Sequence, residues 1–133
     1  MEFTDEGVIL NARAHGETHA VVDVFTAAHG RWAGLVYGGQ GRRMQPILQP
    51  GNGVRVAWRG RGGDSLGHYT IELTQARAGE LMQERQSLAA LSAAASMALA
   101  CLPEREVHTP SYQGMTVLLD MMDNIVVLSL IHI

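Results

Sequence analysis

The chain has 133 residues, 47% of them hydrophobic, which is enough for one ordinary core or for one small domain with part of a second. Its net charge at pH 7 is -3, so any concentration of positive charge is a local feature of a mildly acidic molecule. A single cysteine, Cys101, excludes an internal disulfide and a zinc site with several cysteine ligands, and its apolar helical context predicts a buried thiol.

Residues 1–77 have the sequence pattern of a β domain. Apolar segments over 7–14, 20–26 and 31–37 are separated by turns that contain glycine, and strands this close together form hairpins. A glycine-rich connection follows, in which residues 42–48 have room only for a short helical turn or a loop.

Two further strands are predicted over 54–59 and 68–74, where apolar and polar residues alternate. The residues expected to face the core are Val54, Val56, Trp58, Tyr69, Ile71 and Leu73. Five short strands with an irregular connection between the third and the fourth predict a small closed barrel of the oligonucleotide-binding (OB) type. An SH3-like barrel is the main alternative.

The composition becomes helical near Ala78. Strong helix formers over 80–102 place leucine and alanine residues three, four or seven positions apart, which predicts an amphipathic helix that ends at Pro103. Thr109 and Pro110 predict the start of a second helix. Two helices are not a complete bundle, so we expect residues 78–123 to be the start of a truncated helical domain with an exposed apolar face.

Residues 124–133 differ from the rest of the chain. The apolar run from Ile125 to Ile133 has no helical amphipathicity and resembles translated adapter sequence, so we expect a non-native tail. This run is far shorter than the roughly 20 residues that cross a bilayer. The acidic N-terminus lacks the apolar region of a secretory signal, so we expect a cytoplasmic protein without a membrane partner.

A run of arginines without acidic residues is the feature most informative about function. All ten basic residues are arginine, and six of them lie between Val24 and Gly63, a stretch that contains no aspartate or glutamate. A concentrated positive field attracts polyanions, of which nucleic acid is the obvious one, so we expect one accessible, electropositive wall of the barrel. The alternative is a solvated face whose counter-charges come from elsewhere in the fold.

The arginines of this stretch and one aromatic residue are the candidate nucleic-acid contacts. Arg55 and Arg59 share one side of a strand about 13 Å apart, so they can reach separate phosphates. Tyr37 is the best exposed candidate for base stacking, because Trp58 and Tyr69 are expected in the core. The full set is Arg31, Arg42, Arg43, Arg55, Arg59, Arg61 and Tyr37.

Neither catalytic nor metal-binding residues form a recognisable motif. His15 and His19 flank a predicted turn, and no third ligand is evident. No Ser/His/Asp set or pair of carboxylates converges in the sequence. We therefore expect neither an enzyme nor a bound cofactor.

The chain resembles the N-terminal half of the RecO family of bacterial DNA repair proteins. The likeness rests on short motifs in a fixed order, namely Gly7-Val8-Ile9-Leu10, Gly16-Glu17, His29-Gly30, Gly38 to Gly41 with Arg42-Arg43, Leu48-Gln49-Pro50, Glu80-Leu81-Met82, Leu102-Pro103-Glu104, and Pro110, Tyr112 and Leu118-Leu119-Asp120. Each motif is weak alone, whereas the ordered set is fairly specific. It covers the whole chain except the tail.

The resemblance implies an OB-fold barrel followed by a helical domain, and a recombination mediator without a catalytic centre. Members of the family bind single- and double-stranded DNA, anneal complementary strands, and work with RecR to load RecA onto DNA covered by single-strand-binding protein. By this analogy the basic residues of the barrel contact DNA. The leading candidates are Arg42 and Arg43, and the next are Arg55, Arg59 and Arg61. We expect the region that docks single-strand-binding protein to be missing here, and no counterpart of the cysteine zinc site found in some members.

Two other functions stay open on the sequence. The barrel is also compatible with a protein–protein adaptor that docks an acidic partner. It is equally compatible with an RNA- or ribosome-associated module that uses the same positive charge.

Overall fold

A computed structural model of the chain describes residues 1–61, 66–76, 85–102, 104–107 and 109–131, and only the backbone of 85–92, 109 and 122–131. Within these residues, five β-strands precede two α-helices. The elements are β1 (Glu2–His15), β2 (His19–Thr26), β3 (Gly30–Val36), β4 (Gly53–Arg59), β5 (His68–Gln75), α1 (Arg85–Cys101) and α2 (Thr109–Ile131).

The strands close into a barrel in the order β1-β2-β3-β5-β4. The first half of β1 pairs with β4 and the second half with β2, both antiparallel, and a bulge lies between Ile9 and Asn11. β3 and β5 run parallel and meet in register only at Leu35 and His68. This is the OB arrangement, so the predicted fold class is confirmed.

Apolar side chains, which alternate with polar ones along the strands, fill the barrel interior. Val54, Val56 and Trp58 on β4 are fully buried, whereas Arg55 and Ala57 between them are exposed, as predicted. On β5 the core residues Tyr69 and Ile71 also follow the prediction, with Tyr69 buried and Ile71 partly buried.

The prediction for Leu73 is wrong, because its side chain is 38% exposed. The second half of β5 pairs with β4 alone, since the register with β3 is limited to His68. An inward-facing residue so far along β5 therefore has no strand on its other side to cover it.

β1 begins five residues before the predicted start at Gly7. Glu2, Thr4 and Glu6 face outward, while Phe3 packs against the barrel core. A single apolar residue among acidic ones gives a weak strand signal, but every residue from Glu2 to Val8 has a register partner on β4. Pairing along a complete neighbouring strand thus decides the start of β1.

The helices cover the outer face of β1 and β2. Leu10 and Phe25 are buried against Ala95 and Leu99 of α1, and Leu119 of α2 packs on Val8. Thr109 begins α2, as predicted, and three large apolar side chains of this helix are exposed, namely Val117, Leu118 and Met121. The expected apolar face is therefore present.

Three helical predictions have different outcomes. Residues 80–84 at the predicted start of the first helix lie outside the described residues. Cys101 is exposed at the end of α1, so the prediction of a buried thiol is wrong. The backbone of α2 is helical through Ile131 and includes most of 124–133, whose non-native origin stays a prediction.

The connector between the helices docks on the barrel. The backbone N–H of Arg105 donates to the carbonyl of Arg31 at 2.6 Å, and Arg31 and Glu104 form an isolated bridge. The guanidinium of Arg105 lies 4.4 Å from the ring centroid of Trp32 and 5.4 Å from that of Trp58. Cation–π contacts of this kind contribute about 0.5–2 kcal/mol each, so the connector is held by more than its backbone bonds.

A buried carboxylate lies beside this connector. Asp23 on β2 is 3.7 Å from Arg13 and 3.5 Å from Arg31. Burial raises the pKa of Asp23 above its ordinary value of 3.8, although both arginines act to lower it. The folded protein therefore binds this proton more tightly than the unfolded chain does.

Replacing Asp23 with asparagine is expected to remove a pH-dependent destabilisation. Because the folded pKa is raised, the wild-type contribution from Asp23 falls as pH rises from about 3.8 through the folded value. The Asp23→Asn variant lacks this titration, so wild-type minus variant unfolding free energy should fall across that window. Urea unfolding at several pH values from about 4 to 7 measures it. A difference that is flat or rises with pH contradicts the assignment.

Candidate nucleic-acid interface

The six arginines of the acid-free stretch do not form one surface. Arg31 is only 18% exposed in its side chain, because its Nε donates to the carbonyl of Leu102 at 2.9 Å and its Nη1 faces Asp23. This arginine ties the barrel to the end of α1. It lies apart from the remaining candidates.

Arg55 and Arg59 on β4 carry counter-charges from β1. The register places Glu6 opposite Arg55 and Glu2 opposite Arg59. The nitrogen–oxygen distances of the two ion pairs are 3.5 Å and 3.1 Å. The expectation of an accessible, electropositive wall is therefore wrong for β4, which presents mixed charge.

These two ion pairs are nevertheless weak. All four side chains are more than half exposed, and exposed pairs contribute about 0–1 kcal/mol. A phosphate can therefore replace Glu2 or Glu6 at small cost. Arg55 and Arg59 remain available to an anion, but they are not free of competition.

Arg42, Arg43 and Arg61 differ from the others. Each is exposed, and among the described residues none of the three has a carboxylate partner. Arg42 and Arg43 lie in the connection between β3 and β4, where backbone N–H groups of Gln45 and Leu48 close a helical turn, as predicted for this segment. Arg61 lies two residues beyond the end of β4.

The loop that carries Arg42 and Arg43 is anchored at several points. Nε2 of Gln40 donates to the carbonyls of Gly16 at 3.1 Å and His19 at 2.8 Å. Nδ2 of Asn52 donates to the carbonyls of Pro46 and Ile47 at 2.9 and 3.0 Å. An anchored loop loses less conformational entropy when it binds, so its arginines are preorganised.

Tyr37 lies next to this loop and is 62% exposed. Its ring centroid is 5.0 Å from His19 and 5.6 Å from His68. Tyr37, Arg43 and His68 line a groove of about 430 Å³. The rings of Trp58 and Tyr69 are buried as predicted, so Tyr37 is the accessible ring beside the unpaired arginines.

Potential metal ligands do not cluster among the described residues. No group of three or more histidine, cysteine, aspartate or glutamate side chains is gathered there to hold a metal ion. Burial raises the pKa of the Tyr69 hydroxyl well above 10, and this hydroxyl donates to the carbonyl of Trp32 at 2.7 Å. Over the same part of the chain, neither helix is long and apolar enough to cross a membrane.

The fold and this surface define an OB-fold protein with arginine-bearing loops at the barrel. The family model for the N-terminal region of recombination protein O matches residues 1–77. The chain is 50% identical over 118 residues to the DNA repair protein RecO of Methylobacterium nodulans, covering 89% of this chain and 48% of the relative.

Two further relatives carry the same protein name. The identity to DNA repair protein RecO of Roseobacter denitrificans is 44% over 122 residues, and to that of Cereibacter sphaeroides 46% over 123 residues, each covering 92% of this chain and 51% of the relative. The chain belongs to the RecO family of DNA repair proteins. It spans about half the length of the curated relatives it matches.

Proposed function

We propose that this chain binds DNA without catalysis, as the barrel portion of a RecO-type recombination mediator. The observation that carries the proposal is the pair Arg42 and Arg43, which are exposed on an anchored loop without a carboxylate partner among the described residues. The name of the relatives, DNA repair protein, supports DNA as the polyanion. The site of action is the bacterial cytoplasm.

The mechanism is neutralisation of phosphates. Two single strands repel each other, and an arginine surface lowers this repulsion without reading the bases. The guanidinium fork of Arg42, Arg43 and Arg61 pairs well with phosphate oxygens. Arg55 and Arg59 join by exchanging Glu6 and Glu2 for phosphate, and Tyr37 supplies a stacking surface.

The proposal extends to the partners of a mediator. A barrel that holds single- and double-stranded DNA brings complementary strands together for annealing. With RecR, the mediator assists RecA loading on DNA covered by single-strand-binding protein, which docks on the family's larger helical domain. These partners follow from the family likeness, while the charges on the barrel support the DNA contact itself.

Salt-dependent binding tests this function directly. About three phosphate contacts predict a log–log salt slope near -2 for single strands, which is a roughly 20-fold loss of affinity between about 50 and 200 mM salt. Fluorescence anisotropy with labelled single-stranded and duplex DNA of two unrelated sequences measures this slope. A similar slope for both sequences supports the proposal.

The same titration separates the alternatives. Preference for a structured RNA over both DNAs favours an RNA-associated module. Failure to bind any of these nucleic acids at about 50 mM salt contradicts the proposal and favours an adaptor for a protein partner.

A further inference from the structure

The face that OB modules commonly use for oligonucleotides is not accessible here. That face is the outer side of β2 and β3. The outward-facing residues of β2, Val21, Asp23 and Phe25, are each at most 4% exposed. Phe25 is covered by α1 and α2, and Arg31 on β3 is bound to the carbonyl of Leu102. A strand of nucleic acid must therefore cross the barrel elsewhere.

The outer face of β4 and β5 is open. Thr4, Ala57 and Thr70 lie side by side in the register across β1, β4 and β5, and all three are exposed. Their small side chains leave a depression between the longer charged residues on either side. A groove of about 470 Å³ lies there, lined by these three residues together with Arg59 and His68.

This groove continues into the one beside Tyr37. His68 and Thr70 line both, so the two grooves meet at β5 and form one trough, here called the β5 trough. Arg43 lines the part of the trough beside Tyr37. Arg59 lines the part over β4, opposite His68, where Glu2 pairs with it and lines the same groove. Arg42 and Arg61 are close in sequence to these two arginines, so each part of the trough has exposed arginines beside a floor of small side chains, and the charge of Arg59 is shared with Glu2.

We propose that single-stranded DNA crosses the barrel through the β5 trough, over Thr70, from the Arg42–Arg43 loop to Arg59 and Arg61. This inference rests on the proposed function and adds the path of the strand. Each groove is of the size of a small-ligand site, which suits one nucleotide at a time. The Tyr37 ring stands at the loop end, where it can stack on an unpaired base.

A negative charge in the floor of the trough tests the path. Thr70→Glu should weaken binding of a labelled single-stranded oligonucleotide about tenfold or more at 0.1 M salt, because a carboxylate there opposes the phosphates. Thr74→Glu is the matched control, since Thr74 is an exposed threonine further along the same strand. It lies about 13 Å further along β5. That exceeds the Debye length of about 10 Å, so its effect should stay below about twofold.

Ala57→Glu tests the same DNA path independently. Ala57 is exposed on β4 opposite Thr70, and its substitution should weaken binding to a similar degree even if the Thr70 variant does not fold. Equal affinities for the variants in the trough and the Thr74 control overturn the path. If wild type binds DNA while the trough variants match the control, the DNA-binding function stands and only the path fails. If wild type binds no DNA, the proposed function itself fails.

Discussion

Gly30→Ala is expected to lower the free energy of unfolding by about 3 kcal/mol or more and to detach the helix connector from the barrel. Gly30 has a φ of 76°, a left-handed conformation that residues with a side chain adopt at a cost. A Cβ at this position would also overlap the backbone carbonyl of Glu106. Backbone atoms cannot move aside as a flexible side chain can, so the connector must shift.

Gly16→Ala separates the two causes. Gly16 has a φ of 66°, yet a Cβ there meets nothing within 4 Å. This control carries only the conformational cost of about 1–2 kcal/mol. Urea unfolding compares the two variants, and hydrogen exchange at Arg105, whose N–H donates to Arg31, reports on connector docking. Equal destabilisation with unchanged exchange at Arg105 contradicts the close approach.

The local pattern of the sequence was sufficient to predict the barrel. The alternation of Val54, Val56 and Trp58 with exposed neighbours is a property of one strand, and the structure confirms it. The turn at His29-Gly30 was likewise visible in the sequence. The second role of Gly30, its contact with Glu106, was not, because it depends on a connector far along the chain.

The charge pattern shows why the site was harder to predict. The stretch from Val24 to Gly63 contains no acidic residue. The register of β1 with β4 nevertheless places Glu6 and Glu2 beside Arg55 and Arg59, with which they form ion pairs. A predicted start of β1 at Gly7 left both glutamates outside the strand. The sequence pattern therefore does not reveal the ion pairs of these two arginines, because β1 begins five residues before its predicted start.

The contact of Arg31 is absent from the local sequence pattern for a related reason, since its partner Leu102 directly follows α1, far along the chain. Arg42 and Arg43 differ from both cases, because among the described residues neither has a carboxylate partner on a neighbouring strand or a bond to the helix connector. Their segment is anchored to Gly16 and His19 near the first hairpin turn, away from the acidic half of β1. Among the described residues, arginines without a carboxylate partner are therefore concentrated on loops, whereas the arginines of the barrel strands are paired with carboxylates.

The double substitution Arg42→Ala with Arg43→Ala is expected to weaken DNA binding about tenfold or more at low salt, equally for different sequences. If each guanidinium neutralises one phosphate, the log–log salt slope for single strands becomes shallower by about 1.4. Both side chains are exposed, so the fold should be unaffected and thermal unfolding should match wild type. Anisotropy titrations at four or more salt concentrations measure the slope.

Arg42→Lys with Arg43→Lys is the matched control, because it keeps both charges and replaces only the planar guanidinium fork. If the contact is electrostatic, the lysine variant retains the wild-type salt slope and loses only the part of the affinity that comes from bidentate phosphate pairing. A slope that is unchanged in the alanine variant removes Arg42 and Arg43 from the interface. Binding would then have to depend on Arg61 and on Arg55 and Arg59, the last two of which must first release Glu6 and Glu2.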